Sequence, residues 1–357
     1  MSLSREPMRL TDRDLFAPQV DQYIEEQALL RRADLDFEPR PLWKAVLFSS
    51  YFYLSISCGF GAFCAWLLLD PFFIDGPNPQ GSNALVAFLM FPTVVGMIGF
   101  FLGAVEGIMC RNLLRASISA VAGLAIGFVG GAVALIPAGL LFAITKMIVE
   151  SMQPKVGRHG MPMGFALFVL IVGRALAWSI ASIPAGIGQG IAIRESKVLV
   201  NGLLGAVLGG FLGGLMFDPI AIAFTTPDGR ASISRLIGFV IIGMMVGLFV
   251  GVVEQMAKTA WLLMKAGPLA GKQFIIYKNP TVLGSSPKAD IYLFKDDAIE
   301  PRHALIHDLG GRFQIEDCNS ADGTYVNGYP IKTHVLRQGD QIVLGKTVLE
   351  FAVKDRG

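Results

Sequence analysis

The chain has 357 residues, of which 53% are hydrophobic and only 16% charged, with a net charge of +2. A soluble protein ordinarily carries about 25% charge, so the composition excludes a chain that is soluble throughout, and a balance so near neutrality gives no basis for a nucleic-acid partner. The four cysteines and four histidines show no metal-ligand spacing and no disulfide framework, so neither a metal site nor a cofactor is expected and the thiols read as small core residues.

Residues 1–42 are polar and mixed in sign, and they lack the apolar core that a cleaved leader needs. Val20, Ile24 and Ala28 fall at i, i+4 and i+8 behind Pro18. That spacing predicts a short amphipathic helix over Asp21–Arg32, solvated or skirting a membrane.

Residues 43–265 read as a transmembrane domain. A spanning helix needs ~20 apolar residues. Six runs qualify: Trp43–Leu69, Leu85–Ile108, Ser117–Ile144, Met163–Ile191, Val198–Phe224 and Leu236–Ala257. Turn chemistry such as Asp70-Pro71 and Thr226-Pro227-Asp228-Gly229 separates them. Lysines and arginines concentrate before the first run, between the second and third (Arg111, Arg115), between the fourth and fifth (Arg194, Lys197) and after the sixth (Lys258, Lys265). The positive-inside rule then puts both termini in the cytoplasm, and the expected setting is a bacterial inner membrane, with the lipid bilayer as one partner.

Within the runs, Gly103-x-x-Glu106, Gly186-x-x-Gln189 and Gly251-x-x-Glu254 recur, as do Leu69-Asp70-Pro71 and Phe217-Asp218-Pro219. We read three related helical hairpins. Glycine stripes at every fourth residue (Gly99, Gly103, Gly107; Gly123, Gly127, Gly131; Gly205, Gly209, Gly213; Gly243, Gly247, Gly251) predict glycine-zipper packing. The stripes serve either one bundle or a homo-oligomer interface. Arg174 is the one charge deep in a run and must be paired, snorkelling or beside a wet cavity, with Trp178 near enough to stack. Glu106 and Glu254 lie near the cytoplasmic end and are expected to be solvated. Arg174, Glu106, Gln189 and Glu254 are the polar candidates of this region.

Residues 266–270 read as a linker. Beyond it the period changes to two. Short strands are expected at Gln273–Ile276, Ile291–Leu293, Ala304–Ile306, Phe313–Ile315, Gln341–Leu344 and Val348–Val353, the pattern of a β-sandwich over 271–357.

The motifs there are Val282-Leu-Gly284-Ser285, Glu300-Pro-Arg-His303, Ser320-Ala-Asp322-Gly323-Thr324-Tyr-Val-Asn327-Gly328 and Leu336-Arg-Gln-Gly339-Asp340. In this order they resemble the forkhead-associated (FHA) family. The resemblance implies an eleven-stranded sandwich that binds phosphothreonine peptides through loops at one end. It also implies scaffold roles for Gly284, His303, Gly323, Thr324, Asn327 and Gly328, with His303 bracing a loop. Where the family carries Arg, Ser and Asn for the phosphate, this chain has Ser285, Glu300 and Asp322. Two carboxylates repel a phosphate, while Lys288 and Arg302 compensate in part. Ser285, Ser286, Lys288, Glu300, Arg302, Ser320 and Asp322 are therefore the candidate peptide-binding residues. Binding that depends little on phosphate, or docking onto the chain's own N-terminal segment or a neighbouring subunit, is the expectation.

No catalytic constellation stands out. Two functions remain: a membrane-anchored adaptor that presents a cytoplasmic protein-binding module to a protein or peptide, phosphorylated or not, and a transporter or channel regulated by that module.

Overall fold

A computed structural model describes residues 46, 49–74, 81–157, 160–224 and 231–354. Six long helices come first: α1 Ser50–Leu69, α2 Ser82–Met109, α3 Leu113–Ser151, α4 Phe165–Ile193, α5 Ser196–Phe224 and α6 Ser232–Ala257. Each is long and apolar enough, by length and composition, to cross a membrane. The helix expected at Asp21–Arg32 lies outside the described residues, as does the start of the first run at Trp43. α3 continues past Ile144 to Ser151 as 39 helical residues, about 58 Å at 1.5 Å per residue.

Chain neighbours pack side by side, and α6 returns to α1, so the six helices close into a ring. The glycine stripes lie in its seams. A Cβ added to Gly99 would stand 2.5 Å from the Gly123 carbonyl oxygen, one on Gly209 2.5 Å from that of Met245, and one on Gly243 2.5 Å from that of Cys58. Backbones this close gain dispersion contacts that a side chain would prevent. These glycines face helices of their own chain.

The turns on the Glu106 side of the ring repeat one design. Arg111 and Arg194 both take left-handed backbone, at φ 52° and 56°. The amides of Asn112 and Glu195 reach back to the carbonyls of Gly107 and Gly190 at 2.8 and 3.0 Å. This six-to-one bond ends α2 and α4 tightly and lets α3 and α5 start at once.

The β-domain that follows has eleven strands in two sheets. The six-stranded sheet contains β1 Ala260–Ala266, β2 Gln273–Ile275, β7 Thr324–Val326, β8 Tyr329–Ile331, β10 Gln341–Leu344 and β11 Thr347–Val353, in the order β2-β1-β11-β10-β7-β8. The five-stranded sheet contains β3 Thr281–Gly284, β4 Ile291–Tyr292, β5 Ala304–Asp308, β6 Phe313–Asp317 and β9 Thr333–Leu336, in the order β4-β3-β5-β6-β9. Leu262, Met264, Leu283, Ile306, Ile315, Ile342 and Phe351 fill the space between them and are essentially inaccessible. Asn327 and Gly328, at φ 52° and 84°, form the two-residue hairpin turn between β7 and β8, where both positions need positive φ.

The sandwich begins earlier than the sequence pattern suggests. β1 follows α6 after two residues and lies between β2 and β11. Lys265 and Ala266, placed in the membrane domain and the linker by the sequence, are sheet residues, and 267–272 make the turn from β1 to β2.

Candidate functional site

One end of the sandwich gathers the loops β3–β4, β4–β5 and β6–β7. Gly284 lets the β4–β5 loop cross directly over β3: a Cβ there would run into the Pro301 carbonyl. His303 is fully buried behind that crossing. Its Nδ1 accepts the Glu300 amide at 3.2 Å, and its Nε2 faces the Gly323 carbonyl at 3.3 Å. An amide only donates and a carbonyl only accepts, so the proton sits on Nε2. The imidazole thus ties two loops together. Gly323 itself has φ +71°.

Asp317 organises the β6–β7 loop. Its carboxylate accepts the hydroxyls of Ser320 at 2.6 Å and Thr324 at 2.7 Å and the Ser320 amide at 3.1 Å. Partial burial works to raise its pKa, but these donors outweigh it and hold the carboxyl below its ordinary value. Asn327 joins the scaffold through Asp340 and the Gln341 amide, each at 2.9 Å.

Around this frame the candidate recognition residues divide. Ser285 donates its amide to the Glu300 carbonyl at 2.9 Å. The Glu300 carboxylate accepts the Ala321 amide at 2.9 Å, so a carboxylate of the protein already holds a donor of the β6–β7 loop. Arg302 and Asp322 are exposed beside it. The β3–β4 loop does not share this open face. Asn112, which caps α3 through the Arg115 amide, donates its Nδ2 to the Pro287 carbonyl at 2.7 Å. Arg115 donates to the Asp290 carbonyl at 2.9 Å. Lys288 lines the crevice that results, between the sandwich and α3 and α4. Ser286 accepts the Lys288 amide at 3.2 Å within the same loop.

The polar candidates of the helical region fall in two places. Arg174 lies 3.0 Å from Asp218, whose side chain is wholly buried, and packs over the rings of Phe142 and Phe217. Trp178, near enough in the sequence to stack on Arg174, packs on Phe91, Phe217 and Phe239. Glu106, Gln189 and Glu254 instead converge on one cavity of about 320 Å³ at the ring end, roofed by the β-domain. Glu106 and Glu254 are not left to solvent, as their position in the sequence implied. Lys272 Nζ is 3.3 Å from Glu106 Oε1, Tyr53 donates to Glu106 Oε2 at 3.0 Å, and Tyr277 donates to Glu254 at 2.5 Å. The β-domain supplies Lys272 and Tyr277, and the sequence reading missed both. Neither stands in a motif; the signal available was two carboxylates at repeat-equivalent positions facing an unassigned domain.

The FHA-domain family model matches residues 281–345. The glycogen accumulation regulator GarA of Mycolicibacterium smegmatis is 39% identical over 105 residues, which are 29% of this chain and 66% of that protein. An oxoglutarate dehydrogenase inhibitor of Corynebacterium efficiens is 40% identical over 95 residues, 27% of this chain and 66% of that protein. The chain thus spans just under two thirds of the length of these relatives. A solved FHA domain from Chlamydia trachomatis is 27% identical, with coverage of 28% of this chain and 100% of that one and a TM-score of 0.26. With the eleven strands and the His303 brace in place, residues 281–345 are an FHA domain.

Proposed function

We propose that the protein is a multi-pass membrane adaptor that holds its FHA domain at the cytoplasmic face and recruits a protein partner with little dependence on phosphate. Six apolar helices and the asymmetry of loop lysines and arginines support the membrane setting. The observation that carries the binding mode is the Glu300 carboxylate on the Ala321 amide. FHA domains bind phosphothreonine-bearing partners. Here Glu300 stands where the family has a phosphate-binding Ser, and its carboxylate fills the loop donor from within. Asp322 adds a second negative charge and Ser285 brings no guanidinium, so an incoming dianion meets two carboxylates that the exposed Arg302 offsets only in part.

The test is a titration of the intact protein in detergent against matched phosphorylated and unphosphorylated peptide libraries. Equal or absent preference for phosphothreonine is the expected result. Micromolar binding lost on dephosphorylation overturns the reading.

The second reading, transport regulated by the FHA domain, draws on the polar cavity at the ring end. The Arg174–Asp218 pair weighs against it, because the deep arginine has an opposite charge within the chain 3.0 Å away.

A further inference from the structure

The three polar residues that recur along the helical region, Glu106, Gln189 and Glu254, come from α2, α4 and α6 and meet in a single cavity. All share the spacing Gly-x-x-Glu or Gly-x-x-Gln, so related hairpins present the same polar position to one end of the ring. Into that end the FHA domain inserts Lys272. Its side chain is only 2% exposed. Its ammonium pairs with Glu106 and looks onto the ring faces of Tyr53 at 5.3 Å and Phe274 at 5.8 Å. A carboxylate with aromatic faces around it is the environment that stabilises a desolvated ammonium. Burial works against the charge on Lys272, but the Glu106 carboxylate overrides it and the net shift of its pKa is upward, so the group stays protonated.

We propose that the end of the helical ring is a primary-ammonium site whose occupant is the FHA domain's own Lys272, and that this occupancy latches the FHA domain onto the bundle. The latch has a consequence for recognition. The same docking brings Asn112 and Arg115 onto the β3–β4 loop at Pro287 and Asp290, so one of the three recognition loops is covered while Lys272 is seated. Partner binding that uses all three loops requires release of the latch. Release in turn uncovers Glu106. The inference holds for an adaptor and for a transporter alike.

Chemical rescue tests it in the full-length protein in detergent. Hydrogen exchange is followed at amides 110–116 and 285–291. Lys272→Ala is expected to speed exchange at both segments about tenfold or more, because a buried charge loses its partner. Butylammonium, which carries the lysine head on a free four-carbon chain, is expected to restore protection at millimolar concentration, the range in which a short tether acts. Tetramethylammonium, which has no N–H donor, and sodium chloride at equal ionic strength are expected to leave exchange fast. Glu106→Gln, which keeps the shape of the site, should loosen the same segments in a chain that retains Lys272 and should not respond to butylammonium. Wild-type protection in Lys272→Ala overturns the latch. Equal rescue by sodium chloride, or rescue of Glu106→Gln, overturns the ammonium site.

Discussion

Arg174 on α4 and Asp218 on α5 form an ion pair 3.0 Å long, and a second pair, Asp70 with Arg235 on α6, is 2.8 Å long. Both aspartates stand in Asp-Pro steps at the same end of their helices, and each reaches the helix before it around the ring. Arg235 also packs over Phe73 at 4.5 Å, as Arg174 does over Phe142 at 4.6 Å. The ring is therefore stitched by aspartate–arginine pairs at the end away from the FHA domain. Removing one partner leaves a buried charge. We expect Arg174→Met alone to destabilise the bundle by about 3–5 kcal/mol, and Arg174→Met with Asp218→Leu to recover most of it. Thermal unfolding of the single and double variants in detergent measures the coupling; additive losses would show that the pair does not act as a unit.

The position of β1 makes a prediction about the smallest folded piece. A fragment that starts at Gly271 keeps every FHA motif but lacks the strand between β2 and β11, along with buried Ala260, Leu262 and Met264. Burying one such large side chain contributes roughly 1.5–3 kcal/mol, and a domain of this size has about 5–15 kcal/mol in all. Residues 259–357 should give a cooperative melt and dispersed amide spectra, and residues 271–357 should not. Equal melting of the two fragments would remove β1 from the core.

Bulk in the glycine seams should be destructive. A Cβ at Gly209 would be 2.5 Å from the Met245 carbonyl oxygen, and one at Gly127 2.8 Å from that of Val95. Leu at either position forces backbones apart, at a cost of about 1–3 kcal/mol or more for overpacking. Gly139 has open space around it, so Gly139→Leu is the control and should be tolerated. Detergent size-exclusion profiles and melting temperature separate the three variants.

The recognition end can be converted. Ser285→Arg, Glu300→Ser and Asp322→Asn together remove two negative charges and add a bidentate donor. Phosphothreonine-peptide affinity should rise about tenfold or more, at ~1.4 kcal/mol per decade. Isothermal titration on the intact protein reads it, with Glu300→Ser alone expected to free the Ala321 amide and supply part of the gain. No gain from the triple variant would place recognition elsewhere on the domain.

Acid should loosen the β6–β7 loop through Asp317. Its pKa is depressed in the folded state, so the stability it contributes is present above the unfolded value of about 3.9 and is lost as pH falls through the lower folded value. Asp317→Asn should cost about 1–3 kcal/mol at neutral pH, because its amide oxygen can still accept the Ser320 and Thr324 hydroxyls but its NH2 replaces the oxygen that accepts the Ser320 amide. It should also flatten the decline of stability below that unfolded value. Melting temperature against pH for the two proteins tests both effects; parallel curves would mean that Asp317 keeps its ordinary pKa.

The six helices and the FHA domain are legible in the sequence because each leaves a local trace. Twenty apolar residues in a row have few other uses, and turn positions such as Gly323 and Asn327-Gly328 need residues that tolerate positive φ. The exchange of phosphate-binding residues for Ser285, Glu300 and Asp322 is equally local. β1 left no such trace. Only Lys258-Thr259 separate α6 from Ala260-Trp-Leu-Leu-Met264, a short apolar stretch with no alternation, and the outward Trp261 is covered by the Lys258 ammonium at 3.9 Å, so the strand does not show the period of two. The pairs Arg174–Asp218 and Lys272–Glu106 could not be read at all. Their partners lie on different elements, and an ion pair between elements imposes no spacing on the chain that joins them. Only closure of the ring and seating of the FHA domain on its end decide which charge meets which, and that is why Glu106, placed by sequence in solvent, holds the buried lysine of another domain.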